Sequence, residues 1–355
     1  DFASDPRCRM IGVTDEVDVS PRRSHLNQQL AEDLGIPMLP DLRQALERSD
    51  VHVASVCVEF EQRARVASQC ARAGKHVYID KPLATTNEEA ERLVSAVRRT
   101  NVKSQMFSML RTTWAQRARK MVRTGFLGDL IGMHCDLLFA KGITGSADLG
   151  RPRREDHPPE RFTFFDSKRE LFTTGVYSIG FMRWLSGGEI LRVYAQTCNY
   201  FFREHQENDV EDFAVVTLEF EEGLSATLTG GRIGWLSHPS SGLVRIYLLG
   251  AKGSWLLDAA CPHIEVSSDR PEWRPGSPHP EDPMGFWSST TQEMRRSAAA
   301  AWKTVPEREQ SDASYFIDCI EEDRESDMNV AEGAAILKSL LACYQSATRG
   351  QPVTL

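Results

Sequence analysis

The stretch GKHVYIDKPLA, residues 74–84, decides how this chain is read. It places a short apolar strand, His76 to Ile79, directly before a turn carrying Asp80, Lys81 and Pro82. Gly74 follows a helical pattern, Arg63 to Ala73, whose apolar stripe is Val66, Ala67, Cys70 and Ala71, so it reads as a left-handed helix stop. Pro82 has no N–H to give a sheet ladder and biases Lys81 to extended backbone, so the chain turns as it leaves the strand. Beyond it, Thr86 and Glu89 have capping-box spacing, and Ala90, Leu93, Val94 and Val97 form the stripe of another helix. This order sets Lys81 at the carboxyl end of a sheet strand, where open α/β sheets bind ligands. A solvated turn lysine has the same local spacing.

Working outward, the first third alternates strand and helix. Arg9 to Val13 reads as a strand ending in Thr14-Asp15, Ser24 to Asp33 as a helix, and Pro40-Asp41 as the start of another, with Asp41 and Gln44 at capping spacing. Val51 to Val58 is the nearly continuous apolar run of a parallel strand covered on both faces, and Val77 to Ile79 and Val102 to Phe107 supply further strands. Such alternation implies a right-handed, doubly wound parallel sheet. Past Trp114 the texture changes. After a helix over Ala115 to Thr124 come long alternating strands: Leu130 to Phe139, Ile190 to Phe202, Phe213 to Phe220, Leu224 to Thr229 and Leu243 to Leu249. Glu221-Glu222-Gly223 and Ala251-Lys252-Gly253 read as hairpin turns. Pro271 to Pro283 reads as an exposed loop, and a final helix opened by Asn329 and Glu332 stops near Gly350. The predicted fold is α/β: a Rossmann-type sheet over residues 1–120 and an α+β domain with a large, mostly antiparallel open sheet over 121–355.

Composition narrows the function classes. The 355 residues are 41% hydrophobic and 26% charged, enough for a full core, and the net charge of -8 comes without a Lys/Arg block. That argues against nucleic acid or an anionic membrane as partner and for small molecules. No run approaches the roughly 20 apolar residues of a membrane span, and DFASDPRCRM has no apolar signal core, so a cytoplasmic protein is expected. The eight cysteines have no close pair, which suggests neither a disulfide framework nor a zinc knuckle. Glu204, His205 and Glu207 sit on a predicted strand end without metal-ligand spacing, so no metal is expected.

The Gly74–Ala84 segment resembles the signature of the Gfo/Idh/MocA oxidoreductase superfamily, AGKHV followed by Glu-Lys-Pro, with Asp80-Lys81-Pro82 here in place of the triplet. FLGDLIG, VEDFAVVTLEF, LLGAKGSW and the ending ATRGQPVTL are similar to family landmarks. The resemblance implies a first domain that binds NAD or NADP and a second whose open sheet face forms homodimers or homotetramers. It also implies a sugar, cyclitol or related polyol substrate, oxidised or reduced at a secondary alcohol. A second family motif, Asp-x-Gly-x-His or -Tyr before Trp-Leu, is matched by FTTGVYSIGFMRWL, Phe172 to Leu185. Gly175 aligns with its glycine, Tyr177 with the proton carrier, and Thr173 stands in the aspartate position. Tyr177 is then the acid/base and Lys81 the group that polarises the oxygen; a nearby lysine favours the phenolate. Thr173 and Arg111 would hold substrate. Read without the family, Tyr177 is an amphipathic core residue beside Phe181 and Trp184, and Arg111 a brace.

Cofactor residues expected are Asp15, Glu59, Asp80 and Lys81. A carboxylate ending the second strand accepts both ribose hydroxyls and repels a 2'-phosphate, which favours NAD over NADP; Arg22 and Arg23 pull the other way. Glu59 reads either as a ribose contact or as a helix-start acid. Val58-Glu59-Phe60 and Arg63 stand where the family has a Thr-Pro-Asn-like turn and a histidine. No glycine-rich turn precedes Asp1, so the sequence is expected to be incomplete at its amino terminus; a truncated, cofactor-free protein is the other reading. The cluster Gly230-Gly231 to Gly234 reads as a bend. His157 is assigned nothing. Alternatives to the polyol dehydrogenase are a non-catalytic ligand-sensing protein of the same fold and an imine or enone reductase.

Overall fold

The computed structural model describes residues 1–17, 19–139, 147, 148, 150, 153, 154, 169–232, 242–258, 263–268, 289–291, 298–303 and 310–355. His157, Gly234, Pro271 to Pro283 and most of Gly142 to Arg161 lie outside them.

The chain divides into two compact units, Asp1–Ser108 with Gln310–Ala334, and Met109–Glu309 with Ala335–Leu355. The sequence division at residue 120 had given everything after it to the second domain. The difference at 310–334 has a physical basis in Asp312. Its buried carboxylate accepts from Tyr78 Oη (3.1 Å), Ser108 N (3.1 Å) and Ser108 Oγ (2.9 Å), and Gln105 donates to its carbonyl (3.0 Å). Burial raises the Asp312 carboxyl above its usual range, and these donors oppose that rise.

In the first unit, α1 (Pro21–Leu34) is capped by Ser20, and α2 (Leu42–Glu47) by the Asp41 side chain on Gln44 N at 2.7 Å. There follow β1 (Val53–Val56), α3 (Phe60–Arg72), β2 (His76–Ile79), α4 (Asn87–Thr100) and β3 (Ser104–Met106). The three strands form a parallel sheet in the order β1-β2-β3. Gly74 takes φ 75°, as a left-handed stop requires. Thr86 caps α4 on Glu89 N (3.2 Å), and Glu89 answers on Thr85 N (3.2 Å), one residue earlier than a strict capping box. The expected strand Arg9–Val13 is not formed: Val13 makes one isolated parallel bridge to Met38. Apolar residues at 10, 11 and 13 satisfied the pattern, but a strand needs a ladder partner along its whole length.

The second unit holds α5 (Thr113–Arg123), β4 (Leu130–Phe139), β5 (Arg153–Arg154), a π-helical turn (Leu171–Gly175) running into α6 (Val176–Ser186), β6 (Ile190–Asn199), α7 (Arg203–Glu207), β7 (Phe213–Phe220), β8 (Ser225–Arg232), β9 (Gly242–Gly250), β10 (Gly253–Asp258), β11 (His263–Ser268), β12 (Ser289–Thr291) and β13 (Ala298–Lys303). After α8 (Asp312–Glu321) in the first unit, α9 (Val330–Arg349) passes from the first unit into the second, which ends in β14 (Val353–Thr354). One sheet runs β12-β13-β11-β10-β9-β4-β8-β7-β6-β14, with β5 beside β6, and is antiparallel except for the parallel pair β4 and β8. The residues Glu204 to Glu207, expected at a strand end, are helical.

Alternation along the strands gives this sheet two faces. Ala214, Val216, Leu218, Ala226, Leu228, Ile246 and Leu248 are buried, while Val215, Tyr247 and Leu249 are exposed on the other side. Helices cover the buried face: Ser178 of α6 accepts from Cys135 Sγ at 3.4 Å, Ser346 of α9 accepts from Ala195 N at 3.0 Å, and Phe172 stacks on Tyr344 at 5.4 Å.

Candidate active site

In the first unit, Val77 to Thr85 is buried except at Asp80 and Lys81. The chain leaves β2, exposes these two side chains, then returns to the core through Leu83 and Ala84, both fully buried. The Lys81–Pro82 peptide is cis. Arg63 holds this turn from α3. Its Nη1 donates to the Pro82 carbonyl (2.8 Å), its Nη2 to the Val58 carbonyl (2.9 Å) and Asp80 Oδ2 (3.1 Å), and its Nε to Val58 O (3.2 Å). The guanidinium also lies 4.8 Å from the Phe60 ring. Only 3% of Arg63 is exposed, and burial lowers its pKa, so these acceptors are what makes the charge tolerable. The departure at 58–63 is therefore a working part: a planar fork ties the end of β1, the start of α3 and the lysine turn together.

Replacing Arg63 by alanine leaves two buried carbonyls without donors, and about 3 kcal/mol of stability is expected to be lost in urea unfolding. Arg63→Lys is expected to recover less than half of that, because an ammonium cannot reproduce the fork. Equal stability of the alanine variant would remove Arg63 from this role.

Asp15, expected as a ribose acceptor, has its carboxylate engaged by neighbouring side chains. Its Oδ2 accepts from Arg23 Nε (2.6 Å) and Asn27 Nδ2 (2.6 Å), and its Oδ1 from Glu16 N (2.8 Å) and Arg23 Nη2. A carboxylate has about four acceptor positions, and all four are filled. Arg23 Nη1 in turn donates to Glu59 and to Gln62 Oε1 (2.9 Å), so Asp15 and Glu59 meet on one guanidinium. Arg65 forks onto Glu16 at 2.5 and 2.6 Å, which lowers the Glu16 pKa. Ribose hydroxyls can reach Asp15 only by exchange with Arg23 or Asn27.

In the second unit, residues 169–185 are buried except for Thr173 and Tyr177. These lie four residues apart, so both open on one face. Thr173 lies in the closely packed π-helical turn Leu171–Gly175. A Cβ on Gly175 would come within 2.6 Å of Leu171 Cδ1, and one on Gly230 within 3.0 Å of Thr174 Oγ1. A Cβ on Gly231 would meet the Asp212 carbonyl at 2.5 Å. The Gly230-Gly231 pair is thus a close approach of β8 to this turn. The VEDF stretch holds it from below: Glu211, fully buried, accepts from Leu171 N (3.1 Å), Tyr344 Oη (2.6 Å) and Arg169 Nη1 (3.2 Å). Asp212 caps the amides of Tyr200, Phe201 and Phe202 at 2.7–3.0 Å.

Arg111 lies in the same unit, its guanidinium 5.8 Å from the Trp184 ring, which Arg119 approaches to 4.1 Å. Glu170 is the residue that the sequence reading missed. It is 1% exposed, and its Oε1 accepts from Arg232 Nε (2.7 Å) and its Oε2 from Thr173 Oγ1 (3.1 Å). Burial pushes its carboxyl above the ordinary range, against the pull of Arg232 and Thr173. Its signal was the i, i+3 spacing to Thr173 in a helical segment.

Residues 12–108 match a domain family described as an oxidoreductase family with an NAD-binding Rossmann fold, and residues 115–256 match the GFO/IDH/MocA C-terminal domain. The chain belongs to the Gfo/Idh/MocA oxidoreductase family. It is 26% identical over 231 residues to a scyllo-inositol 2-dehydrogenase (NAD+) of Bacillus subtilis, which covers 64% of this chain and 61% of the relative. It is 30% identical over 125 residues to a levoglucosan dehydrogenase of Pseudarthrobacter phenanthrenivorans, 31% of this chain and 32% of the relative. The chain thus spans less than two thirds of the length of the curated relatives it matches. Among solved structures, a levoglucosan dehydrogenase in complex with NADH and levoglucosan superposes with a TM-score of 0.71 at 19% identity, over 93% of this chain and 88% of that one. That likeness carries the fold of this Gfo/Idh/MocA chain.

Among the described residues no group of three His, Cys, Asp or Glu side chains could hold a metal, and no helix is long and apolar enough to cross a membrane.

Proposed function

We propose that the protein is an NAD(P)-dependent oxidoreductase that interconverts a secondary alcohol and a ketone on a sugar, cyclitol or related polyol. One observation carries this reading: in two otherwise buried stretches, 77–85 and 169–185, the only side chains that open outward are Asp80, Lys81, Thr173 and Tyr177. They are a cation, a carboxylate, a hydroxyl and a phenol, the set that an alcohol oxidation uses.

The bound nicotinamide supplies the hydride acceptor or donor. In the oxidation direction Tyr177 takes the hydroxyl proton while Lys81 donates a hydrogen bond to the substrate oxygen as it becomes a carbonyl. Thr173 and Arg111 hold neighbouring hydroxyls. Asp80 and Lys81 would face the nicotinamide end, and Asp15, Arg23 and Glu59 the ribose next to adenine. The commitment of Arg23 and Arg65 to Asp15, Glu59 and Glu16 supports NAD over NADP, since a 2'-phosphate has to compete with three carboxylates for those guanidiniums.

The exposed apolar residues Val215, Tyr247 and Leu249 on the second sheet face support a homodimer or homotetramer through that face. Free thiols at all seven described cysteines fit a reducing, cytoplasmic setting. With scyllo-inositol, myo-inositol, levoglucosan and aldoses, each with NAD and NADP, nicotinamide absorbance is expected to change fastest with a cyclic polyol and NAD. No turnover with any member, together with unchanged binding of the same polyols, would favour the ligand-sensing alternative.

A further inference from the structure

A guanidinium carries five N–H donors in one plane, so a single arginine can face two carboxylates at once. Arg23 does so. Its Nε (2.6 Å) and Nη2 hold Asp15 side-on, and its Nη1 holds Glu59 and Gln62 Oε1 (2.9 Å). The two carboxylates are unlike. Only 9% of the Asp15 side chain is exposed, and Asn27 and the Glu16 amide hold it as well, whereas half of the Glu59 side chain is open to solvent. Glu59 is also the N-cap residue of α3, and its side chain makes no cap hydrogen bond there. A place where serine, threonine or aspartate stabilises a helix start is taken by a longer carboxylate that reaches Arg23 instead. The neighbouring cation, Arg65, is forked onto Glu16.

We propose that Glu59 is a specificity-determining residue for the dinucleotide: it retains the guanidinium of Arg23, which keeps that cation from a 2'-phosphate and lets ribose hydroxyls reach Asp15. The inference rests on the reading that Asp15, Arg23 and Glu59 face the ribose next to adenine, and deepens it by separating their tasks. A 2',3'-diol needs acceptor positions on Asp15 that Arg23 now fills. Arg23 can release them at low cost because Glu59 and Gln62 still compensate its charge. A 2'-phosphate needs the guanidinium itself, and to take it must displace Glu59 and then lie beside two carboxylates. Arg23 by itself favours the phosphate and Asp15 by itself the diol; Glu59 decides between them.

Glu59→Ser tests this, because serine is too short to reach Arg23 and supplies the missing cap hydroxyl to α3. NADH and NADPH are titrated calorimetrically onto the full chain, a readout that needs no turnover. Relative to wild type, Glu59→Ser is expected to tighten NADPH and to lower the ratio of the NADPH to the NADH dissociation constant about tenfold, a gain that a merely structural role would not give. Glu59→Gln, which keeps an acceptor without the charge, is expected to lower the ratio about threefold. In an Arg23→Gln background Glu59→Ser is expected to move it less than about twofold. If Glu59→Ser gives no cooperative melt, Glu59→Gln carries the same comparison. NADPH binding no tighter than in wild type, or an equal change in the Arg23→Gln background, overturns the proposal and leaves the cofactor site standing. A wild-type protein that binds neither dinucleotide overturns the placement of the cofactor at these residues and this proposal with it.

Discussion

Tyr177→Phe is expected to lower kcat for polyol oxidation by about two to four orders of magnitude, the range for loss of a positioned proton carrier. The substitution keeps the ring and removes the phenol. Tyr177 opens outward from a helix whose other residues to Leu185 are buried, so the melting temperature is expected to stay within about 2 °C of wild type. Binding of NADH, followed by fluorescence titration, should also be unchanged. A kcat within threefold of wild type would show that the proton leaves by another route, and Tyr177 would return to the reading of an amphipathic helix residue.

Lys81→Met is expected to cost about 10²–10³ in kcat/KM, the scale for removing one donor from an oxygen that gains charge in the transition state. Methionine retains the apolar stem, so the change isolates the ammonium. Lys81 and Tyr177 stand on different structural units. The double variant therefore has a further use: two residues acting on one carbinol form a catalytic unit, and their losses should be strongly non-additive. Additive losses, with the double variant near the product of the two, would mean that they serve separate steps.

Much of the fold was legible because its signals are local. Phe213–Phe220 alternates between buried and more open positions with period two, and Glu221-Glu222-Gly223 carries positive φ at Glu222 and Gly223 as a tight hairpin turn needs. Asp41 and Thr86 cap the helices that follow them through bonds spanning three residues. The strand expected at Arg9–Val13 had the same kind of local pattern and still did not form beyond one bridge, since pairing is supplied by another segment. The assignment of Asp312 to the first unit was hidden for the same reason: its partners Tyr78, Gln105 and Ser108 are more than 200 residues away.

The candidate site divides along the same line. Sequence alone determined that a lysine stands at the end of a parallel strand before a proline, and that a tyrosine follows a threonine by one helical turn, because strand, turn and helix signals span fewer than about ten residues. Only the tertiary structure decided what surrounds these groups. Asp15 is filled by Arg23 and Asn27, Arg63 clamps the lysine turn to Val58, and Glu170, which accepts from Thr173, is held by Arg232 across 62 residues. Each of these is a buried charge or hydroxyl whose behaviour depends on the partner that compensates it, and the chain brings those partners together only by folding.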